Sequence, residues 1–336
     1  MKIFETMHKD FPPFVDPVTG KPLSLKDLHY VVQDTNNDQK KYPIIKGIPR
    51  LLLQRENYAA AFGDQWLRWR TTQLDSFSGT TITRDRLYRC LDKKGIEILS
   101  NISNPAHVLE VGCGAGRFTE ILLKFSGARV TSLDISNAVE ANQSNFCQDE
   151  RHRIVQADIN QAPFQKEQFD MVLCLGVVQH TPDPEETIKN LFSQLKRGGM
   201  LVIDHYRPEV KRLTKITANL LRPFIKRLSN QSRMQIVKLL VSIFFPIHRA
   251  IRNMPLAQKI FSRISPITTY FQLYPNLPES LLRDWSILDT HDALTDWYKH
   301  LRSPNQISLT LEKIGGTQIS LKIAGNGVEA ICFKPK

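Results

Sequence analysis

The stretch Val108-Leu-Glu-Val-Gly-Cys-Gly-Ala-Gly-Arg-Phe-Thr-Glu120 decides how this chain folds. Its first four residues are typical of a buried strand, and the three alternating glycines predict a sharp turn into a helix that begins near Arg117 or Phe118. Glycine permits a positive φ and lets the backbone approach a ligand more closely than a Cβ would allow. The stretch therefore predicts a ligand-binding loop, with a plain strand-to-helix turn as the alternative.

The spacing of the glycines limits the kind of ligand. It is Gly-x-Gly-x-Gly instead of the Gly-x-Gly-x-x-Gly of a dinucleotide site, and Glu110 stands two positions before the first glycine. A pyrophosphate group favours helix N-terminal amides with no anion nearby. A cationic ligand that carries an amino group and a sulfonium is compatible with Glu110.

Strand-like and helix-like runs alternate after this loop, which is typical of a doubly wound, mainly parallel sheet. The second predicted strand ends at Asp134 and the third at Asp158, while the fourth covers 170–175 and the fifth 200–204. An acid at the end of the second strand is placed to accept both hydroxyls of a ribose. Asp158 is placed to accept a hydrogen bond from an adenine amino group.

These acids at successive strand ends, with Phe169-Asp170 and a Gly198-Gly199 turn before the fifth strand, resemble the motifs of class I methyltransferases that depend on S-adenosylmethionine (SAM). The resemblance covers about 105–206 and resumes at 304–333, where a helix precedes two strands joined by Gly325-Asn-Gly327, a hairpin signal. It implies a Rossmann-like α/β fold with a doubly wound, mainly parallel seven-stranded sheet. It also implies SAM as the cofactor and S-adenosyl-L-homocysteine as the product.

The carboxyl ends of strands four and five would face the transferring methyl group, where a nucleophile must be held and its proton accepted. His180 and His205 lie at these ends, and an imidazole titrates near neutrality. The predicted catalytic residues are His180, His205, Asp289 and His291, although packing histidines and a satisfied loop network around 289–292 are the structural alternatives. The predicted substrate-binding residues are Tyr206, Asp292 and Tyr298, no metal is expected, and the predicted cofactor-binding residues are Glu110, Gly112, Gly114, Gly116, Arg117, Asp134, Ile135, Asp158, Ile159, Leu175, Gly176 and Gln179.

The chain divides into five predicted parts. The first resembles the small zinc-ribbon-like domain that precedes many methyltransferase domains, but Asp16 and Gly20 stand where the metal-binding version has cysteine pairs. The second part is a helical lid or linker, with an aromatic stripe that is predicted to be buried. By the same resemblance, the residues that are candidates for folding over the cofactor are Gln65, Trp66, Thr81 and Arg84. The parts are a β-rich module at 1–55, the lid at 56–100, a SAM-binding core at 101–206, a helical cap at 207–302 and a closing helix and hairpin at 303–336.

The net charge of +12 belongs to one segment of the chain. Between Arg207 and Arg263 there are thirteen Lys or Arg residues and a single acid, Glu209. Apolar residues at helical spacing, such as Leu213, Ile216, Leu220, Phe224 and Leu228, predict a buried stripe with solvated basic faces around it. An RNA, or an anionic membrane contacted through 207–263, is the alternative meaning of this charge.

Composition limits the remaining possibilities. Five scattered cysteines without a Cys-x-x-Cys pair argue against disulfides and zinc, and the longest apolar run, Leu239 to Ile247, is too short to span a bilayer. We therefore expect a cytoplasmic enzyme of unspecified oligomeric state. The runs around His180 and His291 resemble bacterial methyltransferases of secondary-metabolite or polysaccharide type, which implies transfer to an oxygen or nitrogen of a small-molecule or sugar-containing acceptor. The alternatives are an rRNA or tRNA methyltransferase and a catalytically inactive SAM-binding subunit.

Overall fold

A computed structural model describes residues 10–32, 41–53, 58–209 and 215–336. Its central feature is a seven-stranded sheet with the order β10-β11-β9-β8-β5-β6-β7, in which β5 to β9 pair in parallel. The C-terminal hairpin pairs antiparallel with β9 and closes the sheet, so the predicted fold class is confirmed. The strands are β5 His107–Val111, β6 Arg129–Asp134, β7 His152–Gln156, β8 Phe169–Cys174, β9 Leu195–Tyr206, β10 Thr317–Ala324 and β11 Gly327–Phe333.

The parallel strands of this sheet are buried along both faces, because helices cover both faces of the sheet. Leu109 and Val172 pack into one buried cluster, while their neighbours Val108 and Met171 pack into the other. This near-continuous apolar pattern is what a parallel sheet covered on both sides requires. The covering helices are α5 Arg117–Phe125, α6 Val139–Phe146, α7 Pro184–Ser193 and α12 Pro304–Lys313.

The start of β9 differs from the prediction. The Lys196 to Gly199 run was expected to be a turn before the fifth strand, but it lies inside β9. Gly198 has a φ of 77°, and the register between β8 and β9 shifts at this point. The glycine pair is therefore an irregularity in a long strand, which is a common role of glycine in sheets.

The N-terminal residues form a small four-stranded antiparallel sheet. Its turn is closed by Asp16, whose carboxylate accepts hydrogen bonds from the backbone of Val18 and Thr19. The module packs on the central domain through Phe14 and Phe164, whose ring centroids are 5.6 Å apart. The likeness to a zinc-ribbon stays a prediction. The strands are β1 Leu23–Lys26, β2 His29–Val32, β3 Lys41–Ile45 and β4 Ile48–Pro49.

Four short helices connect this module to the central domain and lie on the expected lid segment. Trp66 contacts the glycine loop, because a Cβ added to Gly114 would lie 3.3 Å from the Trp66 Nε1 atom. Thr81 and Arg84 were also considered lid residues, but the Arg84 guanidinium instead lies over Phe125 at the far end of α5. The helices are α1 Ala60–Arg68, α2 Asp75–Ser78, α3 Ile82–Cys90 and α4 Lys93–Ser100.

The insertion after β9 forms helices around a core of its own, built from residues such as Val237, Phe245, Phe271 and Leu282. Pro255 begins a helix, whereas Pro223 and Pro246 lie inside helices, although an interior proline usually breaks or kinks a helix. Packing of the flanking side chains against this core keeps each helix continuous. The helices are α8 Ile216–Ile225, α9 Asn230–Ala250, α10 Pro255–Ile264 and α11 Glu279–Thr295.

Two expectations about this insertion were wrong. The segment around Asp289 to Asp292 was expected to be a loop, whereas it lies on α11. The apolar stripe of α8 was expected to be buried, whereas Leu220 is 65% exposed and Phe224 is 72% exposed. The inner face of α8 is instead formed by Ala218 and Ile225, and Leu213 lies outside the described residues.

The turn between β5 and α5 depends on Gly116. Its φ is 93°, and a Cβ added there would lie 2.4 Å from the Phe146 ring and 2.9 Å from Asn142 Nδ2. Both partners belong to α6. The glycine therefore allows the turn and also the close approach of two helices.

We predict that Gly116→Ala destabilises the protein by about 2–4 kcal/mol, since it adds overpacking to the strain of a positive φ. Gly79→Ala is the matched control, because Gly79 has a φ of 68° and no atom within 4 Å of the added Cβ. Urea denaturation of both variants gives the loss in the free energy of unfolding for each. Equal losses in the two variants would contradict the packing role of Gly116.

Candidate active site

Partly exposed residues stand at the carboxyl ends of the parallel strands, the edge at which the ligand cleft of an open α/β sheet lies. Gly112 after β5, Ile135 after β6, Asp158 after β7 and Gly176 after β8 are each partly exposed, while the strands that lead to them are buried. In open α/β sheets ligands bind along this edge. The structure therefore places the predicted cofactor-binding residues in one row, although the roles assigned to them stay predictions.

Asp134 ties the glycine loop to the end of β6. Its Oδ2 accepts a hydrogen bond of 2.9 Å from the Gly114 amide, and its Oδ1 accepts from the amide and hydroxyl of Ser136. Burial raises the pKa of Asp134 and these hydrogen bonds oppose that rise. A carboxylate has about four acceptor positions, and these three hydrogen bonds leave about one for a ligand. Asp134 can therefore accept from about one ribose hydroxyl, whereas the sequence predicted two.

Glu110 lies beneath the loop inside the protein. It accepts hydrogen bonds from Thr119 Oγ1 at 2.5 Å and Ser132 Oγ at 3.1 Å, while its Oε1 atom is buried without a hydrogen-bond partner. Burial raises its pKa to about 7, against the effect of those hydrogen bonds. Glu110 therefore belongs to a buried network that supports the loop.

Asp158 stands at the next strand end with Tyr58 nearby. One carboxylate oxygen accepts a hydrogen bond of 2.8 Å from the Asn160 amide. Burial, and then the charges of Asp158 and Asp134, raise the pKa of the Tyr58 hydroxyl. Tyr58 therefore covers the part of the cleft between these two acids.

A pair of charged clusters lies where the lid meets α11. Arg86 donates to Asp204 Oδ2 at 2.5 Å, and Asp204 Oδ1 accepts from the Gly176 amide at 2.5 Å. Arg117 donates to Gln73 Oε1 at 2.8 Å, and burial lowers its pKa to about 10. Burial raises the pKa of Asp289 to about 6, against the charge of Arg117. Both remain partly exposed to the cleft.

Gln65 joins α1 to two predicted site residues on α11. Its amide nitrogen donates to Asp292 Oδ1 at 2.6 Å, and its carbonyl oxygen lies 2.7 Å from His291 Nδ1. Burial, and then the charge of Arg233, lower the pKa of His291 to about 4. Burial, and then Asp289, raise the pKa of Asp292. His291 is therefore neutral near pH 7 and is held by an amide instead of the carboxylates beside it in sequence.

His180 faces a carboxylate and a carbonyl oxygen. Its Nδ1 atom lies 3.2 Å from Asp296 Oδ2 and 3.2 Å from the carbonyl oxygen of Tyr298. Asp296 is 2% exposed, and Arg222 donates to its Oδ1 at 2.8 Å. Burial alone would raise the pKa of Asp296, but its close contact with His180 and the charge of Lys299 lower the pKa below its usual value.

Aromatic rings enclose His180. The centroid of Phe62 lies 5.5 Å from its ring and that of Tyr206 lies 5.3 Å away, both in edge geometry. The exposed Tyr298 ring contacts Tyr58 at 5.6 Å. The predicted substrate residues Tyr206 and Tyr298 thus surround His180.

His205, Gln179 and the remaining predicted site residues are buried around this edge. His205 Nδ1 lies 2.8 Å from the Tyr206 carbonyl oxygen, and burial lowers its pKa to about 4. Both side-chain polar atoms of Gln179 are buried without a hydrogen-bond partner. Leu175 and Ile159 are buried at the ends of their strands.

Sequence reasoning missed Asp296, Arg222 and Gln65 as partners of the site residues. Gln65 and Asp292 are 227 positions apart, and a pattern confined to one segment cannot pair them. Asp296 lies four residues after Asp292 and directly follows the end of α11. Its acidic side chain was the only feature of the sequence that could have marked it as a site residue. Within the described ranges, no three His, Cys, Asp or Glu side chains are grouped as metal ligands would be.

Residues 109–203 match the family model described as a methyltransferase domain. Ubiquinone biosynthesis O-methyltransferases are similar to this segment. That of Coxiella burnetii (strain RSA 493 / Nine Mile phase I) is 36% identical over 97 residues, which cover 28% of this chain and 41% of the relative. That of Pseudomonas entomophila (strain L48) is 35% identical over 98 residues, with the same coverage. The chain thus spans about two fifths of the length of these relatives.

Solved structures with a similar course of the chain include a putative S-adenosyl-L-methionine-dependent methyltransferase from Methanococcus maripaludis. It is 15% identical, with a TM-score of 0.43 and coverage of 84% of this chain and 96% of that one. A phospholethanolamine N-methyltransferase 2 from Haemonchus contortus is 13% identical, with a TM-score of 0.45 and coverage of 89% and 63%.

We predict that Arg86→Met lowers the free energy of unfolding by about 3–5 kcal/mol, because it leaves the buried Asp204 carboxylate without its charged partner. The double variant Arg86→Met with Asp204→Asn should regain most of that loss, since no unpaired charge then remains. Denaturation of the two variants and of Asp204→Asn alone gives the coupling free energy. Additive losses would show that the pair does not act as a unit.

Proposed function

Because the central domain is a class I methyltransferase domain, we propose that this protein transfers a methyl group from SAM to an oxygen or nitrogen of a small-molecule or sugar-containing acceptor. The observation that carries the proposal is the position of His180. Its Nδ1 atom faces Asp296 and the Tyr298 carbonyl oxygen at the edge of the sheet that carries the glycine loop. Under this proposal His180 is the general base.

The residues present at this edge fit an adenosyl ligand. Asp134 keeps about one acceptor position for a ribose hydroxyl. Asp158 is partly exposed, and its carboxylate accepts a hydrogen bond from the Asn160 amide. Asp134 accepts a hydrogen bond from the amide of Gly114, which has a positive φ in the turn, and Asp158 follows the neighbouring strand β7. When bound, SAM supplies an electrophilic methyl group on a sulfonium.

The neighbours of His180 determine which of its nitrogens is the base. Both groups that face Nδ1 are acceptors, so Nδ1 carries the proton of the neutral imidazole. The Nε2 lone pair is then available, and among the described residues no side chain or carbonyl bonds to it. Nε2 can accept a proton from an acceptor hydroxyl or amine, while Asp296 stabilises the resulting imidazolium.

The other predicted histidines are less suited to that role. His205 and His291 are 1% and 2% exposed, and burial lowers the pKa of each to about 4. A base is most effective when its pKa lies near the working pH. We therefore assign His291 with Gln65 to positioning α11 over the cleft, and we assign no proton transfer to His205.

The enclosed position of His180 favours a compact acceptor over a folded RNA. Phe62 and Tyr206 cover its ring. The segment that follows α11 contacts the loop after β8, because the His300 amide donates to the Gln179 carbonyl oxygen at 2.9 Å. The names of the similar O-methyltransferases support oxygen as the nucleophile. An rRNA or tRNA substrate remains the second proposal, supported by the net charge of +12.

We predict that Asp134→Asn weakens SAM binding about tenfold to a hundredfold, since one hydrogen bond to a charged acceptor contributes about 1.5–3 kcal/mol. Asp149→Asn is the control, because Asp149 precedes β7 at the opposite edge of the sheet. Calorimetric titration with S-adenosylhomocysteine measures both variants. Unchanged affinity in Asp134→Asn, at unchanged thermal stability, would remove the ribose assignment.

We predict that His180→Asn lowers kcat about a hundredfold to ten-thousandfold while the affinity for SAM stays within twofold, as expected for loss of a general base. Asp296→Asn should also lower kcat at unchanged KM, because an amide that donates to Nδ1 favours the wrong tautomer. Release of S-adenosylhomocysteine, screened over phenols, sugars and amines, measures turnover. His29→Asn, in the N-terminal sheet, is the control.

Two outcomes would count against this assignment. Full activity in His180→Asn would exclude the histidine as the base. Normal SAM binding without turnover on any acceptor, in the wild type, would favour a catalytically inactive SAM-binding subunit.

A further inference from the structure

Three helices of the insertion present apolar stripes to solvent. Each stripe consists of residues four positions apart, which fall on one face of a helix. Their side chains are between 42% and 72% exposed. We refer to these stripes, with the exposed basic residues beside them, as the apolar–basic surface; the stripes are Ile216, Leu220 and Phe224 on α8, Leu239, Ile243 and Ile247 on α9, and Leu256, Ile260 and Ile264 on α10.

The three helices already use their opposite faces for the core of the insertion. Ile225 of α8 and Val237 and Phe245 of α9 are buried there. The Phe261 ring of α10 lies 6.2 Å from Phe244 of α9, so these two helices contact each other through their inner faces. The exposed stripes are therefore apolar surface beyond the part that forms the core. Each stripe groups three large apolar side chains on one helix face, whereas exposed apolar residues of soluble proteins are commonly isolated.

Basic side chains stand beside the stripes. Arg263 and Lys259 are exposed on the same side of α10 as Leu256 and Ile260. Glu209 is the only acid in the sequence between Arg207 and Arg263. Other exposed basic residues of the helices and their connections are Arg227 and Arg252. Lys238 and Arg249 are also exposed, but they face other parts of the chain, since Lys238 lies over the Trp69 ring and Arg249 pairs with Glu279 at 3.0 Å.

We propose that the apolar–basic surface docks the protein on an anionic membrane. Helices with apolar residues on one face and Lys or Arg beside them lie in the plane of the interface, with the apolar groups among the acyl chains and the cations at the lipid phosphates. Among the described residues, no helix is long and apolar enough to cross a membrane. The contact is peripheral, and it does not depend on the proposed methyl transfer.

The charge argues against two other occupants. A second copy of the chain would bring one cationic surface against another, which like-charge repulsion opposes. An RNA would neutralise the basic residues but would leave nine exposed aliphatic and aromatic side chains in water. An anionic bilayer satisfies both the charge and the apolar area.

Cosedimentation with vesicles tests the proposal on the full chain. We expect binding to vesicles of phosphatidylcholine mixed with phosphatidylglycerol, and weak or no binding to phosphatidylcholine alone. Raising NaCl from about 0.05 M to about 0.5 M should lower the bound fraction, since screening weakens the attraction of the basic residues. Equal binding to the two kinds of vesicle at both salt concentrations would overturn the electrostatic part of the proposal.

Variants separate this surface from the rest of the chain. Leu256→Asp with Ile260→Asp should lower the vesicle partition coefficient by about tenfold or more, because two apolar contacts are replaced by anions. Leu309→Asp on α12 is the matched control, since Leu309 is 53% exposed outside the insertion. Lys259→Glu with Arg263→Glu should abolish the preference for anionic lipid, with Lys93→Glu as its control.

The variants remain informative about other partners. Circular dichroism and light scattering establish that each variant is folded and give its oligomeric state. Wild-type binding by the Leu256→Asp, Ile260→Asp variant would overturn the proposal. A wild-type dimer that this variant dissociates would also overturn it, and would assign the surface to subunit contact. RNA binding that the apolar variant abolishes would contradict a membrane role.

Discussion

Buried polar groups must find partners, and this constraint decides how the helical insertion is joined to the central domain. The carboxylate of Asp296 is almost fully buried and is held by Arg222 from α8 on one side and His180 from the loop after β8 on the other. Leaving such a group unpaired costs several kcal/mol. The three residues must therefore stay together, and with them the insertion, the end of α11 and the carboxyl edge of the sheet.

The same constraint operates at the lid. Gln65 is fully buried and bonds to both His291 and Asp292, so α1 and α11 are fixed relative to each other by one amide. The indole nitrogen of Trp285 donates to the Thr72 carbonyl oxygen at 2.9 Å and adds a further link between these parts. Residues before and after the central domain are thereby brought over the same strand ends. The lid helices and α11 stay in place beside the strand ends because each satisfies buried polar groups of the other.

The sequence predicted best where one segment contains the whole signal. The glycine loop, Asp134 at the end of β6, and the hairpin at Gly325 to Gly327 each depend on residues close in the chain, and the structure places each in the expected element. Asp158 was expected to end the next strand and lies two residues beyond it. The partners of those acids were less accessible. Asp134 accepts hydrogen bonds from Gly114 and Ser136, a use of its lone pairs that strand periodicity does not reveal. The order of residues along the chain predicted which side chains lie at the carboxyl edge of the sheet. It did not predict which groups those side chains bond to.

The insertion shows why the remainder could not be predicted. An apolar stripe at helical spacing has the same appearance in a sequence whether it meets a core, a second protein or a lipid, so Leu220 and Phe224 were assigned to a core that they do not join. The small face of α8, with Ala218, is the one that packs inward, because it lets the helix approach its neighbours closely. Hydrophobicity alone thus predicts that the wrong face of α8 is buried. The basic residues beside the outward stripe are what distinguish it from a core stripe, since a Lys or Arg next to a core would have to be paired or desolvated.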